Sequence, residues 1–283
     1  MTETEENSSQ NFFILAFQAL TRHEPFPWQR TAFQKLVQGP QPPTQLTLPT
    51  GTGKTSLIPI WIIALAWQSS LGNGLKLPRR LVWVVNRRVV VDQASQEAQD
   101  MAERLTYPEK EEDLARRNML IMLSGHLGRI SFLGSVDHKP MVVSTLRGQM
   151  ADNAEWSLDP SRPAIIVGTV DMIGSRLLFS GYGLGKSRRP YHAGLIGHDA
   201  WIVLDEAHLT PAFAELIMSC RSIQSNKKTF SPFAVTLLSA TQRNVQSQDP
   251  DTTIELTDDD KNNPVIGKRL SAIKNLQFSE LCR

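Results

Sequence analysis

The sequence predicts an α/β fold with a mostly parallel sheet flanked by helices, and two observations lead to that prediction. Short runs rich in Val, Ile and Leu recur without apolar–polar alternation, which is typical of strands covered on both faces. Segments of helical character separate these runs, as in repeated strand–helix–strand units. The candidate strands are residues 45–48, 81–85, 141–145, 164–169, 200–204 and 233–238.

The helices are predicted from the segments between these strands. Prolines at positions 25 and 27 break the chain after the first apolar segment, so a second helix is expected to begin beyond them. Two segments, 106–118 and 148–163, are rich in charged residues or prolines and are expected to be surface loops or short helices. The candidate helices are residues 12–20, 30–37, 56–67, 89–105 and 211–221.

These elements predict one domain over residues 12–241. Residues 1–11 are acidic and polar, and we expect them to form a disordered lead-in. Residues 242–283 begin with a polar stretch rich in Asp and Gln, with little to form a core. We expect an exposed excursion there that includes a candidate edge strand at 252–256 and then leads toward a further domain.

Composition constrains the partners only weakly. The 283 residues are 41% hydrophobic, and 30 basic against 28 acidic residues leave a net charge of +2, which is no nucleic-acid signature in itself. The longest apolar run, Leu57–Trp67, is too short to cross a bilayer, and the first ten residues lack a signal peptide's positive start. Cys220 and Cys282 form neither a disulfide framework nor a metal cluster. We therefore expect a cytoplasmic location without membrane contact.

The segment 48–55, Leu-Pro-Thr-Gly-Thr-Gly-Lys-Thr, predicts a phosphate-binding loop between a strand and a helix. Gly51 and Gly53 let the backbone curl tightly, so that its N–H groups point at anionic oxygens. Lys54 places a positive charge on the β- and γ-phosphates, and the hydroxyl of Thr55 is suited to bind Mg²⁺. The helix that follows adds its positive N-terminal end. The loop therefore predicts a site for a nucleoside triphosphate and Mg²⁺.

Residues upstream of the loop indicate that the base is adenine. The amide of Gln29 can bond both a donor and an acceptor on an adenine edge, an arrangement that guanine would mismatch. Phe26 could pack against the base. The alternative is a proline-rich helix entry with one exposed glutamine. The candidate ATP-binding residues are Phe26, Gln29, Thr50, Gly51, Thr52, Gly53, Lys54 and Thr55.

A second chemical signal, Asp205-Glu206-Ala207-His208, directly follows the candidate strand 200–204. Open α/β sheets place their ligands at such strand ends. Asp205 is suited to hold Mg²⁺, directly or through water, and Glu206 to orient or deprotonate an attacking water. His208 is expected to link the site to neighbouring residues by hydrogen bonding. Together with Lys54, these residues are the candidate catalytic set.

Ser239 and Thr241 follow the last long candidate strand. Such a pair is ordinarily a turn or a helix cap. Here the hydroxyls can instead reach across to the carboxylates of Asp205 and Glu206. We therefore predict that the pair couples nucleotide state to the nucleic-acid face.

These motifs, in this order, resemble the first motor domain of a superfamily 2 helicase with a DEAH box. Three further segments, 84–93 (Val-Val-Asn-Arg-Arg-Val-Val-Val-Asp-Gln), 144–148 (Ser-Thr-Leu-Arg-Gly) and 168–176 (Gly-Thr-Val-Asp-Met-Ile-Gly-Ser-Arg), are similar to the CRISPR-associated helicase–nuclease of Type I systems. The resemblance covers roughly residues 20–241. It implies a RecA-like P-loop domain in an ATP-driven, 3′-to-5′ single-stranded DNA translocase that a guide-RNA surveillance complex recruits. The residues that it places along the DNA are Asn86, Arg87, Thr145, Arg147, Thr169 and Arg176.

The chain also departs from that family. We expect the chain to lack a second motor domain, which would supply arginine fingers across the nucleotide cleft. We also expect it to lack a metal-dependent nuclease domain, since its only His-Asp dipeptide, His198-Asp199, sits just before the candidate strand 200–204. We therefore expect this chain alone to bind ATP·Mg²⁺ weakly and to hydrolyse it slowly. Two alternatives stay open at this point: a DEAH helicase acting on RNA or on DNA under repair, and a nucleotide-dependent binding module without catalysis.

Overall fold

A computed structural model describes residues 3–39, 41–146, 154–226, 232–239 and 252–271. Within these ranges, seven strands form one sheet in the order β3-β4-β2-β5-β6-β1-β7, and every pair of neighbours is parallel. This confirms the predicted fold class. The strands are β1 (Gln45–Thr47), β2 (Arg80–Val85), β3 (Val142–Leu146), β4 (Ala164–Thr169), β5 (Ala200–Leu204), β6 (Phe233–Ser239) and β7 (Thr253–Glu255).

Helices cover both faces of the sheet. The interior strand β2 shows why such a strand is apolar, because Leu81 and Trp83 face one hydrophobic core while Val82 and Val84 face the other. Helices α1 to α5 pack on the first side, and α7, α8 and α9 pack on the second. The described helices are α1 (Glu3–Thr21), α2 (Pro27–Gln38), α3 (Leu57–Leu71), α4 (Arg88–Thr106), α5 (Leu114–Gly128), α6 (Gly134–Asp137), α7 (Val170–Leu177), α8 (Arg188–Gly197), α9 (Pro211–Asn226), α10 (Asp258–Asn262) and α11 (Pro264–Leu270).

The predicted disordered lead-in over residues 1–11 is wrong from Glu3 onward, because α1 begins there. Phe13 and Phe17 are buried, and the Phe13 ring stacks on Phe33 of α2 with centroids 4.5 Å apart. This packing anchors the C-terminal half of α1, and residues 5–8 of the polar N-terminal half are exposed on the same helix. Polar composition therefore identified an exposed helical face here, not a disordered segment.

The predicted edge strand at 252–256 is confirmed as β7, but the predicted exposed excursion after residue 241 is wrong over the rest of its described part, which ends at residue 271. Strand β7 pairs with β1, with Leu46 opposite Ile254, and extends the sheet at its edge. Ile254 and Ile266 are buried in the first core, and Asp260 is fully buried. The domain therefore extends at least to Ser271, well beyond the predicted boundary at 241.

The charged segment 106–118, predicted as a loop or short helices, contains the start of a long helix. Asp113 caps α5 by accepting a hydrogen bond from the Arg116 N–H at 2.9 Å. Leu120 and Leu123 then enter the first core. None of the described helices is long and apolar enough to cross a membrane.

Asp159 ties the segment before β3 to the segment before β4. Its carboxylate accepts hydrogen bonds from the Ser131 hydroxyl at 2.8 Å, the Leu133 N–H at 2.9 Å and both the N–H and hydroxyl of Ser161. Burial by itself would raise the pKa of Asp159, but these hydrogen bonds outweigh it and lower the pKa to about 2. The ionised carboxylate therefore stabilises the fold.

Candidate nucleotide-binding site

The segment after β1 forms a tight loop at the carboxyl edge of the sheet. Gly51 and Gly53 have φ angles of 85° and 84°, in the left-handed region that favours glycine. One turn of 3-10 helix over Lys54–Ser56 then leads into α3 at Leu57. The strand–loop–helix arrangement predicted from the sequence is present, and it turns the loop backbone toward the start of a helix, as anion binding requires.

Trp28 of α2 and a contact within the loop fix the position of Thr52. Thr52 is fully buried, and its hydroxyl donates to the Pro49 carbonyl at 2.7 Å. The indole N–H of Trp28 donates to the Thr52 carbonyl at 3.1 Å. Because the Thr52 side chain is turned inward, its predicted contribution to ligand binding reduces to its backbone N–H, whereas Thr50 is exposed.

Gln29 and Phe26 line the same cavity as the loop, as predicted, but the amide of Gln29 is engaged within the protein. Gln29 is 2% exposed; its Oε1 accepts from the Phe26 N–H at 2.8 Å and its Nε2 donates to the Ser56 hydroxyl at 2.8 Å. Gln29 thus caps α2 and braces the 3-10 turn after the loop. Adenine recognition by this residue stays a prediction, and it requires at least one of these two contacts to be exchanged for the base.

Asp205 and Glu206 occupy the turn directly after β5, on the same edge of the sheet as the loop. The Asp205 N–H donates to the Val84 carbonyl of β2 at 2.8 Å, and the Glu206 N–H donates to the Asp205 Oδ1 at 3.0 Å. Glu206 has a φ of 49°, so the chain turns sharply here and aims its carboxylate back over the sheet. Its Oε1 lies 3.5 Å from the Nζ of Lys54.

The electrostatics of this pair suit a metal-binding carboxylate. Burial raises the pKa of Asp205, and the neighbouring Glu206 charge adds to that effect, while Lys54 opposes it. A cation beside Asp205 would reverse this cost by favouring the ionised form. The described residues contain no group of three or more His, Cys, Asp or Glu side chains placed to hold a metal. Mg²⁺ binding by Asp205 and Thr55 stays a prediction.

His208 lies beside the carboxylate of Glu206, in the short 3-10 helix Ala207–Leu209. Its Nδ1 is 3.4 Å from the Oε2 of Glu206. Glu206 therefore stands between Lys54 on one oxygen and His208 on the other. This position fits the predicted linking role of His208, which stays a prediction.

Ser239 ends β6, the strand that separates β1 from β5. It lies in register with Thr47, and its carbonyl accepts from the Leu48 N–H at 3.1 Å. The residue is thus in direct contact with the start of the phosphate loop, as a coupling role would need. Thr241, its predicted partner, lies outside the described residues.

A cavity of about 950 Å³ joins these groups. Its walls include Lys54 and Thr55 from the loop, Asp205 and Glu206 from the β5 turn, and three residues that the sequence did not indicate: Asn263, Val265 and Arg269. These three residues belong to the segment that was predicted to be an exposed excursion, and no local sequence motif marks them. The pairing of β7 with β1 and the contact of Asp260 with Trp28, both between positions distant in sequence, bring that segment to the site.

Four of the predicted nucleic-acid residues, Asn86, Arg87, Thr145 and Thr169, lie at the carboxyl ends of the neighbouring strands β2, β3 and β4, and Arg176 lies in the last turn of α7. Asn86 and Arg87 follow β2 and are exposed, and Thr169 ends β4 and caps α7. Thr145 is 7% exposed and donates to the Ser95 hydroxyl, and Arg176 is 2% exposed with its Nη1 on the Met172 carbonyl. Both side chains are almost fully buried, so their contact with a nucleic-acid strand stays a prediction. Arg147 lies outside the described residues.

Three comparisons with known proteins show what this chain is similar to. A model of the family described as "Type III restriction enzyme, res subunit" (ResIII) matches residues 22–244. Among solved structures, the yeast DEAD-box splicing factor Prp28 is similar at 15% identity and a TM-score of 0.43, over 78% of this chain. The chain spans less than half, 41%, of that protein's length. The comparison with curated proteins gives no match.

Proposed function

Because the chain belongs to the ResIII family of ATP-dependent helicase motor domains, we propose that it uses ATP·Mg²⁺ to move along single-stranded DNA, in the 3′-to-5′ direction. The observation that carries the proposal is the convergence of Lys54, Asp205 and Glu206 in one cavity at the carboxyl edge of the sheet. A lysine on a glycine loop with a pair of carboxylates opposite is what triphosphate hydrolysis requires.

The contact between Lys54 and Glu206 suggests how binding prepares the site. In the structure, Nζ of Lys54 lies 3.5 Å from Oε1 of Glu206. When Lys54 turns to the phosphates, Glu206 is released and can accept a proton from a water beside it. Asp205 and Thr55 are the residues suited to hold Mg²⁺, which would neutralise charge that develops on the phosphates. Phosphate binding by Lys54 and the release of Glu206 are then one event.

The proposed track runs over the carboxyl ends of β2, β4 and β3. Asn86 and Arg87 offer an amide and a guanidinium at the surface, which can hold phosphates without reading sequence. With a net charge of only +2, the chain must depend on such local groups and not on its overall charge. We also propose that a second motor domain, in cis or in trans, completes the nucleotide cleft, since an arginine finger can change the rate about 10³- to 10⁵-fold.

The proposed setting is Type I CRISPR interference, with recruitment by an RNA-guided surveillance complex. Its support is the similarity of segments 84–93, 144–148 and 168–176 to that class of helicase. A helicase acting on RNA, and a binding module that does not hydrolyse nucleotide, are the competing outcomes of the test below.

The test compares binding of one oligonucleotide sequence as single-stranded DNA and as RNA, by fluorescence anisotropy at several salt concentrations. Arg87→Gln should weaken DNA binding severalfold and reduce the salt slope by about one. Lys76→Gln is the matched control, since Lys76 is an exposed cation near the opposite, amino end of β2. Preferential binding of RNA, or equal effects of the two substitutions, would contradict the proposed track. Absence of DNA-stimulated ATP hydrolysis even with a second motor domain supplied would favour the binding module.

A further inference from the structure

The C-terminal described segment reaches the phosphate loop directly. Nη1 of Arg269, on α11, donates a hydrogen bond to the carbonyl oxygen of Gly51. The Arg269 side chain also lies against the same glycine, with its Cδ 3.9 Å from the point where a Cβ of residue 51 would stand. Arg269 is therefore next to the loop that the proposed function assigns to phosphate, although 218 positions separate it from Gly51.

Buried contacts hold α10 and α11 in this position. Asp260 is fully buried; its Oδ1 accepts from the Trp28 N–H at 2.8 Å, and its Oδ2 accepts from the N–H and hydroxyl of Thr257 at 3.0 and 2.9 Å. Asn263 caps α11 by accepting from the Val265 N–H at 3.0 Å. Trp28 is the residue whose indole also holds the Thr52 carbonyl. One tryptophan thus contacts both the α10 anchor and the phosphate loop.

A second cation beside Lys54 would favour binding of an anion in the cavity. Lys54 is paired with Glu206, and Asp205 adds another carboxylate nearby. A guanidinium has five N–H donors, and within the described residues the bond to Gly51 is the one that Arg269 makes. Its remaining donors can be offered to an anion in the cavity that Arg269 lines.

We propose that Arg269 binds the polyphosphate of the nucleotide, and that α10 and α11 deliver it to the site from within this chain. Its Nη1 donates to the Gly51 carbonyl, and its other N–H groups donate to phosphate oxygens beside the loop. This proposal rests on the proposed function and adds to it a phosphate ligand from a segment without a recognisable motif.

The test is a calorimetric titration of ATP·Mg²⁺ into the 283-residue chain and into Arg269→Gln, Arg269→Lys and Lys268→Gln. Lys268 is the matched control, because it is an exposed cation on the same helix that does not line the cavity. Arg269→Gln should weaken binding on the order of tenfold, with partial recovery in Arg269→Lys and no change in Lys268→Gln. The same loss should appear when inorganic tripolyphosphate, which has no base, displaces a fluorescent nucleotide.

Three outcomes would overturn the proposal, and they differ in what else they affect. Equal ATP affinity of Arg269→Gln and the unaltered chain would remove Arg269 from the site and leave the proposed function intact. A loss for ATP with none for tripolyphosphate would mean that Arg269 shapes the base side and does not bind phosphate. Failure of the folded, unaltered chain to bind any nucleotide would overturn both the proposed function and this proposal.

Discussion

Replacing Glu206 with glutamine should separate nucleotide binding from hydrolysis. In the structure, Oε1 of Glu206 holds the Nζ of Lys54, the same group that the phosphates need. Glutamine keeps the size and polarity of the side chain but carries no charge. It is as compatible as glutamate with the left-handed backbone at this position. Glu206→Gln should therefore bind ATP·Mg²⁺ more tightly and hydrolyse it far more slowly.

The size of the gain can be worked out from the geometry. Two unit charges 3.5 Å apart attract by about 1.2 kcal/mol in water and about 5 kcal/mol at an effective dielectric constant of 20. The Glu206 side chain is 34% exposed, so we take the value near the water limit. Removing an attraction of about 1 kcal/mol from the nucleotide-free state should tighten binding roughly five- to tenfold. Loss of a general base should slow hydrolysis at least about a hundredfold.

The assay is calorimetric titration with ATP·Mg²⁺, paired with steady-state phosphate release. Glu215→Gln is the control, because Glu215 is exposed on α9 and the substitution changes the net charge equally. Unchanged or weaker binding by Glu206→Gln would refute the idea that Glu206 competes for Lys54. Retained hydrolysis would refute its role in activating water.

Three further predictions concern residues that support the site and the fold. If Gln29 recognises adenine, Gln29→Ala should erase most of the difference between ATP and GTP affinities. An unchanged ratio of the two affinities would mean that Gln29 only caps α2. Trp28→Phe removes the indole donor to the Thr52 carbonyl, so chemical denaturation should show a loss of about 1 kcal/mol in unfolding free energy. Asp159→Asn should cost about 2 kcal/mol at neutral pH, since the pKa of Asp159 is lowered from 3.8 to about 2 on folding. A lowered pKa stabilises the fold above pH 3.8, so the gap between unaltered chain and variant should close as pH falls toward 2; a gap independent of pH would contradict the role of the charge.

Local patterns predicted the strands and the loop well, because each is encoded over a few adjacent residues. The apolar run 81–85 became a strand buried on both faces, and Gly51 and Gly53 adopted the left-handed backbone that their positions in the loop require. The strand-end position of Asp205 and Glu206 was also correct, since the hydrophobic run before them fixes where the turn begins.

Features that depend on distant contacts were missed. The polar segment containing Asp260 was read as exposed, yet its carboxylate is buried because Trp28, more than two hundred positions away, supplies a donor. Arg269 shows the same limit, since nothing in its neighbours predicts contact with Gly51. The sequence placed Arg176 among the residues that contact nucleic acid. In the structure Arg176 is buried, and its guanidinium donates to the Met172 carbonyl of its own helix.

The central claim is that the cavity between the phosphate loop and the Asp205–Glu206 turn holds ATP·Mg²⁺ through Lys54. The most direct test is a calorimetric titration of ATP·Mg²⁺ into the 283-residue chain and into Lys54→Ala, with folding of both checked by circular dichroism. Loss of a charge-assisted contact to phosphate should weaken binding by well over tenfold. Equal affinity of the two chains, or no binding to the folded unaltered chain, would contradict the claim.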